Sequence, residues 1–291
     1  MKYIHKHAKA KIIVRPYGGL GNRLRCIASA HHFAASYNIP IQIIWHRNYE
    51  LNCKFQDLFE HRTFVVHEKQ SFVGRGQYLR LIESVMSKIA TKVHGKTYLV
   101  KANQENHPKQ LFINHIKRLL AGEFHTLVIS GCQDFYSEHS DYGIFRPTAQ
   151  LRLVIGQIVS DFKKPTYGIH IRRGDHKASI QHSPLYLFEK VIRNMLNKNP
   201  NARFYIATDS LEVERHLYDL FGNDTILSRK KSFSRNTPNG VKDALIDMWV
   251  LSCTDKIFGS YNSSFSMVSA KIGNKPLEMI VSSSDTQTFS R

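Results

Sequence analysis

The order of strand-like and helix-like segments constrains the fold of this chain more than any other feature. From Pro147 onward, short apolar runs alternate with amphipathic stretches of helical period. Such alternation favours a parallel sheet flanked by helices, because parallel neighbours must be joined by a crossover. After a helix at 151–162, the predicted elements are strand 166–171, helix 184–197, strand 203–207, helix 211–221, strand 224–227, helix 241–253, strand 256–258, helix 263–272 and strand 277–281. Five strands with four intervening helices make a complete doubly wound unit.

The first half of the chain shows the same rhythm less clearly. A strand predicted at 11–15 leads through a glycine-rich turn into a helix at 22–37. The further strands predicted in this half are 39–45, 63–66 and 126–130. The basic segment 69–117 gives only weak signals, and its role stays open. We therefore predict an α/β chain with a domain boundary near residues 147–163.

The charge balance is strongly basic, with 41 Lys and Arg against 23 Asp and Glu and a formal net charge of +18. Such a field attracts polyanions, and nucleic acid, an anionic membrane face and phosphorylated small molecules all qualify. No apolar run is long enough to span a bilayer, and the N-terminus lacks a signal-peptide pattern. The four cysteines form no CxxC pair, which suits a reducing compartment. We predict a cytoplasmic protein, with peripheral contact to an anionic membrane as an open alternative.

A glycine-rich turn with the sequence GGLGNR, residues 18–23, follows the first strand and opens a helix. Its glycines allow a ligand to approach the backbone, and a helix N-terminus offers N–H groups to an anion or a sugar hydroxyl. The spacing differs from the dinucleotide-binding and P-loop patterns, and it also fits a plain strand-to-helix turn. The candidate ligand contacts in this turn are Gly19, Gly21, Asn22 and Arg23.

A second motif, HIRRGD at residues 170–175, lies where a predicted strand ends. Ligands of α/β sheets bind at the carboxyl ends of the strands, so the two arginines are placed to meet one. The planar fork of an arginine makes paired hydrogen bonds to phosphate oxygens and keeps its charge at any working pH. We assign Arg172 and Arg173 to a diphosphate, with His170 beside them and Asp175 orienting a guanidinium group or meeting a sugar hydroxyl. A solvated surface turn is the alternative for this motif.

Two further polar clusters follow predicted strands or precede predicted helices. Asp209 ends one strand, where it either caps the next helix or binds the ligand. Asp247 lies in a predicted helix, and Ser263 and Ser264 precede another, where phosphate binding and plain capping are both open. Sixteen histidines raise the question of a metal site, but none of them forms an HExxH-type pair. We predict no bound metal.

These four segments resemble, in kind and in order, those of a known superfamily. It comprises the fucosyltransferases that make α-1,2 and α-1,6 linkages, the bacterial nodulation fucosyltransferases and the protein O-fucosyltransferases. The resemblance spans most of the chain, although only four places carry it: GGLGNR, HIRRGD, ATDS at residues 207–210, and the segment 247–264. HIRRGD is the most specific of them.

The resemblance implies a GT-B-like fold of two Rossmann-like domains facing a cleft. Residues 1–150 would form the acceptor-side domain and 151–291 the domain that binds GDP-fucose. It also implies an inverting transfer to a glycan or glycolipid hydroxyl without a divalent metal or other cofactor. Arg172 matches the arginine on the β-phosphate, and the other matched donor-site positions are Arg173, Asp209 near the nucleoside, Asp247 and Ser263.

One departure from the family concerns the general base. The α-1,6 enzymes carry a glutamate shortly after the arginine motif, whereas the run 176–182 holds no carboxylate. Asp175, His176 or His182 could take the proton, or a residue of the first domain, or no strong base is needed. The acceptor, the linkage and the oligomeric state stay open.

Three rival functions stay open beside this one. The same fold could use another nucleotide sugar, or the chain could bind sugar without turning it over. A basic nucleic-acid-binding protein is the rival from another class, although no RRM, KH or helix-turn-helix signature supports it. We therefore predict no nucleic-acid partner.

Overall fold

A computed structural model of the chain describes residues 10–60, 63–70, 97–102, 109–136, 140–174 and 176–282. The chain divides into two compact units. The first runs up to Thr148 and also takes in Arg235–Pro238, whereas the second consists of Ala149–Ser234 and the chain from Asn239 onward. The return of Arg235–Pro238 into the first unit has no counterpart in the sequence-based division at residue 150. The backbone N–H of Asn52 donates to the carbonyl of Arg235 at 3.2 Å, which fixes the returning segment.

The first unit is built on a five-stranded parallel sheet with the strand order β4-β2-β1-β6-β5. Two short strands, β3 and β7, form a separate antiparallel pair. The described elements are β1 (Lys11–Pro16), α1 (Leu20–Ala35), β2 (Ile41–Arg47), β3 (Phe59–Glu60), β4 (Val65–Gln70), β5 (Thr97–Ala102), α2 (Lys109–Leu120), β6 (Thr126–Gly131) and β7 (Arg146–Pro147). A single 3₁₀ turn covers Phe55–Asp57.

The sequence missed β5 and α2, which lie in the basic segment 69–117. The strand β5 carries only a short apolar run, and α2 carries the charged residues Lys109, Lys117 and Arg118 on either side of its buried Phe112 and Ile116. Charges on the outer face of an amphipathic helix weaken its apolar signal without weakening the helix. Much of the segment, residues 71–96 and 103–108, lies outside the described residues.

The second unit holds another five-stranded parallel sheet, ordered β10-β9-β8-β11-β12. Its elements are α3 (Ala149–Ser160), β8 (Thr166–Ile171), α4 (Lys177–His182), α5 (Leu185–Lys198), β9 (Arg203–Thr208), α6 (Leu211–Phe221), β10 (Ile226–Leu227), α7 (Pro238–Ser252), β11 (Ile257–Ser260), α8 (Ser264–Gly273) and β12 (Leu277–Ile280). This order is that of a doubly wound half. The predicted α/β fold with parallel sheets is confirmed, and among the described elements of this unit only the short helix α4 was not anticipated.

The strand order fixes where a ligand site can form in this unit. From β8 the chain moves outward through β9 to β10, then returns to the other side of β8 to form β11. The carboxyl ends of β8 and β11 therefore flank the point at which the strand order reverses, where open α/β sheets bind ligands. A core of buried apolar side chains from the sheet, α5 and α6 holds this edge, among them Ile169, Phe188 and Leu217.

All four cysteines are free thiols. Cys26 is buried in α1, but Cys253 is exposed, because it follows the end of α7 instead of lying on its apolar face. In the described part of the chain, no helix is both long enough and apolar enough to cross a membrane.

Candidate functional site

Arg172 and Arg173 are the first residues after β8, and one carboxylate holds both. Ile171 pairs with Thr208 in the neighbouring strand, so Asp209 leaves β9 at the level at which Arg172 leaves β8. Nη1 of Arg172 donates to Oδ2 of Asp209, and the backbone N–H of Arg173 donates to Oδ1 at 2.7 Å. The register of two parallel strands thus brings together residues 37 positions apart in the sequence.

The two arginine side chains have different partners and different exposure. Nη1 of Arg173 donates to the carbonyl of Arg172 at 3.1 Å, and Nη2 donates to the carbonyl of Ser183 at 2.9 Å. Burial lowers the pKa of Arg173, and the charge of Asp209 partly offsets this. Arg173 therefore fastens the turn to the start of α5, whereas Arg172 keeps 25% of its side-chain surface exposed. Of the pair, Arg172 is the one placed to meet a ligand.

Ser260, the last residue of β11, fixes the backbone at Arg172. Its Oγ accepts a hydrogen bond from the N–H of Arg172 at 2.9 Å and donates to the carbonyl of His170 at 3.2 Å. The hydroxyl is fully buried, so both bonds are shielded from water. Sequence reasoning placed Ser260 in the serine-rich segment but did not single it out as a site residue, because the predicted strand ended at residue 258.

The turn from β11 to α8 brings a helix N-terminus to the same edge. Asn262 adopts φ +49°, a left-handed conformation that asparagine tolerates better than most residues. Ser263 stands at the N-cap position without a side-chain capping bond, and its Oγ lies 3.3 Å from Nδ1 of His170. Ser264 is partly exposed at the first helical position. The positive end of the α8 dipole thus lies at the edge of the sheet that carries Arg172.

His170 lies under this edge instead of facing a ligand. Its ring stacks on Phe265 with centroids 4.6 Å apart, and Nδ1 is 2.8 Å from Oγ of Ser266. Burial, with the charges of Arg172 and Lys231, lowers the pKa of His170 to about 3. The predicted donor contact is therefore a neutral core histidine that joins β8 to α8.

The structure also alters the set of candidate bases. Nδ1 of His176 accepts the backbone N–H of Ser179 at 3.0 Å and so caps the short helix α4. A nitrogen that accepts this bond does not take a proton from a substrate hydroxyl at the same time. Asp175 lies outside the described residues. The ring of His182 packs against Tyr261, with centroids 4.5 Å apart.

Asp247, a predicted donor contact, belongs to a buried ion network. Its Oδ1 accepts the hydroxyl of Tyr205 at 2.7 Å and Nε of Arg229 at 3.2 Å, and its Oδ2 accepts Nζ of Lys231 at 3.0 Å. Lys231 also pairs with Glu214 at 3.3 Å. Only 6% of the Asp247 side chain is exposed. In this structure the aspartate anchors the loop after β10 instead of facing solvent.

Arg23 of the glycine-rich turn is likewise internal. It is completely buried, and its guanidinium donates to the carbonyls of Gly18 and His46 and to Oδ1 of Asn48. The group lies 4.9 Å from the ring centroid of Trp45, and burial lowers its pKa to about 10. It therefore ties the turn to the end of β2 and is not exposed to a ligand.

The rest of the glycine-rich turn depends on the backbone conformation of Gly18 and on its contacts with Asn22 and Glu50. Gly18 has φ +82°, and a Cβ there would lie 2.9 Å from Nδ2 of Asn22. The N–H of Gly18 donates to Oε2 of Glu50 at 3.1 Å. Gly21 is buried inside α1, whereas Gly19 and Asn22 are partly exposed. Of the four predicted contacts here, these last two retain an open surface.

No family model and no curated protein matches the chain, but solved structures do. A mutant of Arabidopsis thaliana FUT1 in complex with GDP superposes with a TM-score of 0.61 at 13% identity, covering 93% of this chain and 70% of that one. The chain has a fucosyltransferase fold. NodZ alpha-1,6-fucosyltransferase of Bradyrhizobium, soaked with GDP-fucose, gives 0.59 at 17% identity over 91% and 93% of the two chains. POFUT1 in complex with GDP gives 0.54 at 12% identity over 94% and 98%.

In this fucosyltransferase fold, the second unit gathers Arg172, Asp209 and the turn at 261–264 at one sheet edge. The contacts of His170 lie beneath that edge, Asp247 belongs to the buried ion network with Arg229 and Lys231, and the glycine-rich turn belongs to the first unit. Among the residues that the structure describes, no group of three His, Cys, Asp or Glu side chains is placed to hold a metal ion.

Proposed function

We propose that this protein transfers fucose from GDP-fucose to a hydroxyl group of a glycan or glycolipid, with inversion and without a metal. The observation that carries the proposal is the fixed guanidinium of Arg172 at the switch point of the second sheet. The solved structures that share the fold support the donor, because FUT1 and POFUT1 were determined with GDP and NodZ with GDP-fucose.

Transfer of fucose is accelerated by positive charge near the departing GDP. Breaking the bond between fucose and the β-phosphate builds negative charge on the diphosphate, so a fixed cation stabilises the transition state more than the ground state. Arg172 supplies that cation, and the N-terminus of α8 adds N–H groups at the same edge. Together they provide the charge stabilisation for which other transferases use a divalent metal.

The acceptor hydroxyl then attacks the anomeric carbon from the face opposite GDP, which inverts its configuration. Capping of α4 by His176 Nδ1 leaves Asp175, His182 or a residue of the first unit to take the proton. Where the departing GDP is well stabilised, a weak base is enough.

Thermal-shift titration with GDP, UDP, CMP and ADP, each with and without EDTA, tests the donor and the metal together. We expect stabilisation by GDP alone, unchanged by EDTA, and at 100 times Kd it should reach about 2.7 kcal/mol. Release of GDP from GDP-fucose then tests turnover.

Each rival function predicts a different result. Selective stabilisation by another nucleotide would assign another donor, and loss of all turnover in EDTA with recovery in Mn²⁺ would refute the metal-free mechanism. GDP binding without turnover would indicate an inactive binder. Tight oligonucleotide binding that weakens steeply with salt would favour the nucleic-acid rival.

A further inference from the structure

We infer that Asp209 is the positioning residue of the site, acting on the donor through Arg172 and not by touching it. The inference rests on the proposed function and deepens it. Sequence reasoning had placed Asp209 near the nucleoside or at a helix cap. The structure assigns the cap to its neighbour, because Oγ of Ser210 accepts the N–H of Val213 at the start of α6.

Both oxygens of Asp209 are committed inside the turn. Oδ2 accepts from Nη1 of Arg172 and Oδ1 accepts the N–H of Arg173 at 2.7 Å. A carboxylate that accepts a hydrogen bond at each oxygen is held in one orientation, and its Oδ2 in turn orients the guanidinium of Arg172. An unpaired carboxylate here would repel a diphosphate, whereas pairing with Arg172 weakens that repulsion and keeps the guanidinium oriented.

Gly174 shows that the turn is built around this carboxylate. A Cβ at position 174 would lie 2.6 Å from Oδ2 of Asp209 and 3.8 Å from Nη1 of Arg172. Any side chain there would displace the oxygen that holds the guanidinium. The glycine of HIRRGD is thus required by the approach of Asp209 from the neighbouring strand.

Loss of a positioning residue should lower turnover more than donor binding. A misoriented guanidinium still attracts a diphosphate, but it stabilises the transition state poorly. We expect Asp209→Asn to lower kcat about 10²-fold while the KM for GDP-fucose changes by less than about threefold. Gly174→Ala should give the same pattern. Asp224→Asn, which removes an exposed aspartate of the same unit, is the matched control and should leave both constants unchanged. A raised KM at unchanged kcat would make Asp209 a donor contact and overturn the proposal.

Chemical rescue provides a second test in the full-length chain. GDP release by Arg172→Ala is measured with millimolar guanidinium chloride and with NaCl of equal ionic strength. Guanidinium should restore at least about tenfold in rate when Asp209 is present to bind it, and none in Arg172→Ala/Asp209→Asn. An equal response of the two variants, whether rescue or none, would overturn the proposal.

Nitrogen-detected NMR of the Arg172 side chain, assigned by its loss in Arg172→Lys, separates this inference from the proposed function. Slow rotation of the guanidinium in the wild type and fast rotation in Asp209→Asn would support positioning even if GDP-fucose were not a substrate. Fast rotation in both would overturn positioning and leave the proposed function untouched.

Discussion

Adjacent arginines of one motif have different roles because their side chains leave a strand end in different directions. Arg173 uses two of its nitrogens on backbone carbonyls, of Arg172 and of Ser183, and so stabilises the turn. Arg172 faces Asp209 and remains partly exposed. Residues one apart along a strand point to opposite faces, and the structure carries that alternation into the turn.

Arg172→Ala should cut turnover at saturating donor about 10² to 10³-fold, as the loss of one transition-state donor does. Arg172→Lys should recover little, because an ammonium keeps the charge but cannot make the planar two-point contact. Arg215→Ala, at an exposed position of α6, is the matched control. GDP-release kinetics measure all three, and near-normal turnover in Arg172→Ala would refute the assignment.

Arg23 should affect stability instead of catalysis. Removing its side chain takes the guanidinium donor from the carbonyls of Gly18 and His46, at about 1–3 kcal/mol for each buried group that stays unsatisfied, whereas Oδ1 of Asn48 still accepts the N–H groups of Glu50 and Leu51. We expect Arg23→Met to lower the denaturant midpoint strongly while the remaining folded protein binds GDP normally. Loss of GDP affinity at an unchanged midpoint would instead restore Arg23 to the donor site.

At the scale of elements, the site depends on how closely α8 packs against β11. Gly259 makes this possible, because a Cβ there would lie 2.5 Å from Oγ and 2.6 Å from Cβ of Ser266. The same serine lies within hydrogen-bonding distance of His170 on β8. A glycine, a serine and a histidine thus set the height of the α8 N-terminus above the sheet.

Two glycine-to-alanine changes distinguish the close packing of α8 on β11 from the general preference of a helix for alanine over glycine. Gly259→Ala should destabilise by about 1–3 kcal/mol, since α8 must move outward, and it should weaken GDP binding. Gly156→Ala is the matched control within a helix, where no atom lies within 4 Å of the new methyl group. It should stabilise by about 0.5–1 kcal/mol and leave GDP binding unchanged. Denaturant unfolding and GDP titration of both variants test whether Gly259 is required for the packing of α8 on β11. Equal effects of the two changes would contradict this requirement.

The buried histidines predict acid sensitivity. The pKa of His170 is lowered to about 3 and that of His46 to about 4, both chiefly by burial. Between these values and the ordinary 6.5 the unfolded chain binds more protons, so stability falls as pH drops below about 6.5 and levels off near 3. Each histidine contributes a slope of up to about 1.4 kcal/mol per pH unit.

Unfolding free energies measured from pH 7 to 4 test whether stability falls with pH in this way. His170→Asn should reduce the slope of unfolding free energy against pH by the contribution of one histidine. The same change at the exposed His67 is the control and should not reduce it. A slope that is the same in the wild type and in His170→Asn would show that His170 is not neutral and buried in solution.

At the scale of the whole molecule, the candidate donor-side groups around Arg172 lie in one of two units. The second unit carries its own parallel sheet, its own core and the described contacts of Arg172 with Asp209 and Ser260. The formal charge of +18 is a property of the entire chain and draws anions without specifying which. Specificity must therefore come from the sheet edge, and ligand protection should be local.

Hydrogen exchange with and without GDP tests this distribution. We expect protection concentrated at residues 172–174, 209–211 and 261–266, because the backbone of these turns faces the switch point. Protection limited to residues 18–23 would place the nucleotide on the first unit and contradict the proposed donor site.

The alternation of apolar runs was enough to predict the parallel α/β fold, since strand and helix periods are local properties of sequence. The strand ends also marked Arg172, because the carboxyl ends of parallel strands share one edge. The elements in the segment 69–117 were missed because their apolar runs are short and charged residues lie next to them. The sequence motifs suggested Arg23 and His170 as ligand contacts and the resemblance suggested Asp247, but a motif does not report burial.

Only the tertiary structure decided which polar residues face a ligand and which hold the fold. Arg23 and Asp247 are polar in sequence yet buried, because each finds its partners on distant elements. The pairing of Arg172 with Asp209 likewise depends on the register of β8 against β9, and the bond from Ser260 depends on β11 lying on the other side of β8. Local sequence determines where strands begin and end. Which residues meet across the sheet is decided by the order and register in which the strands pair, and that follows from burying the whole core at once.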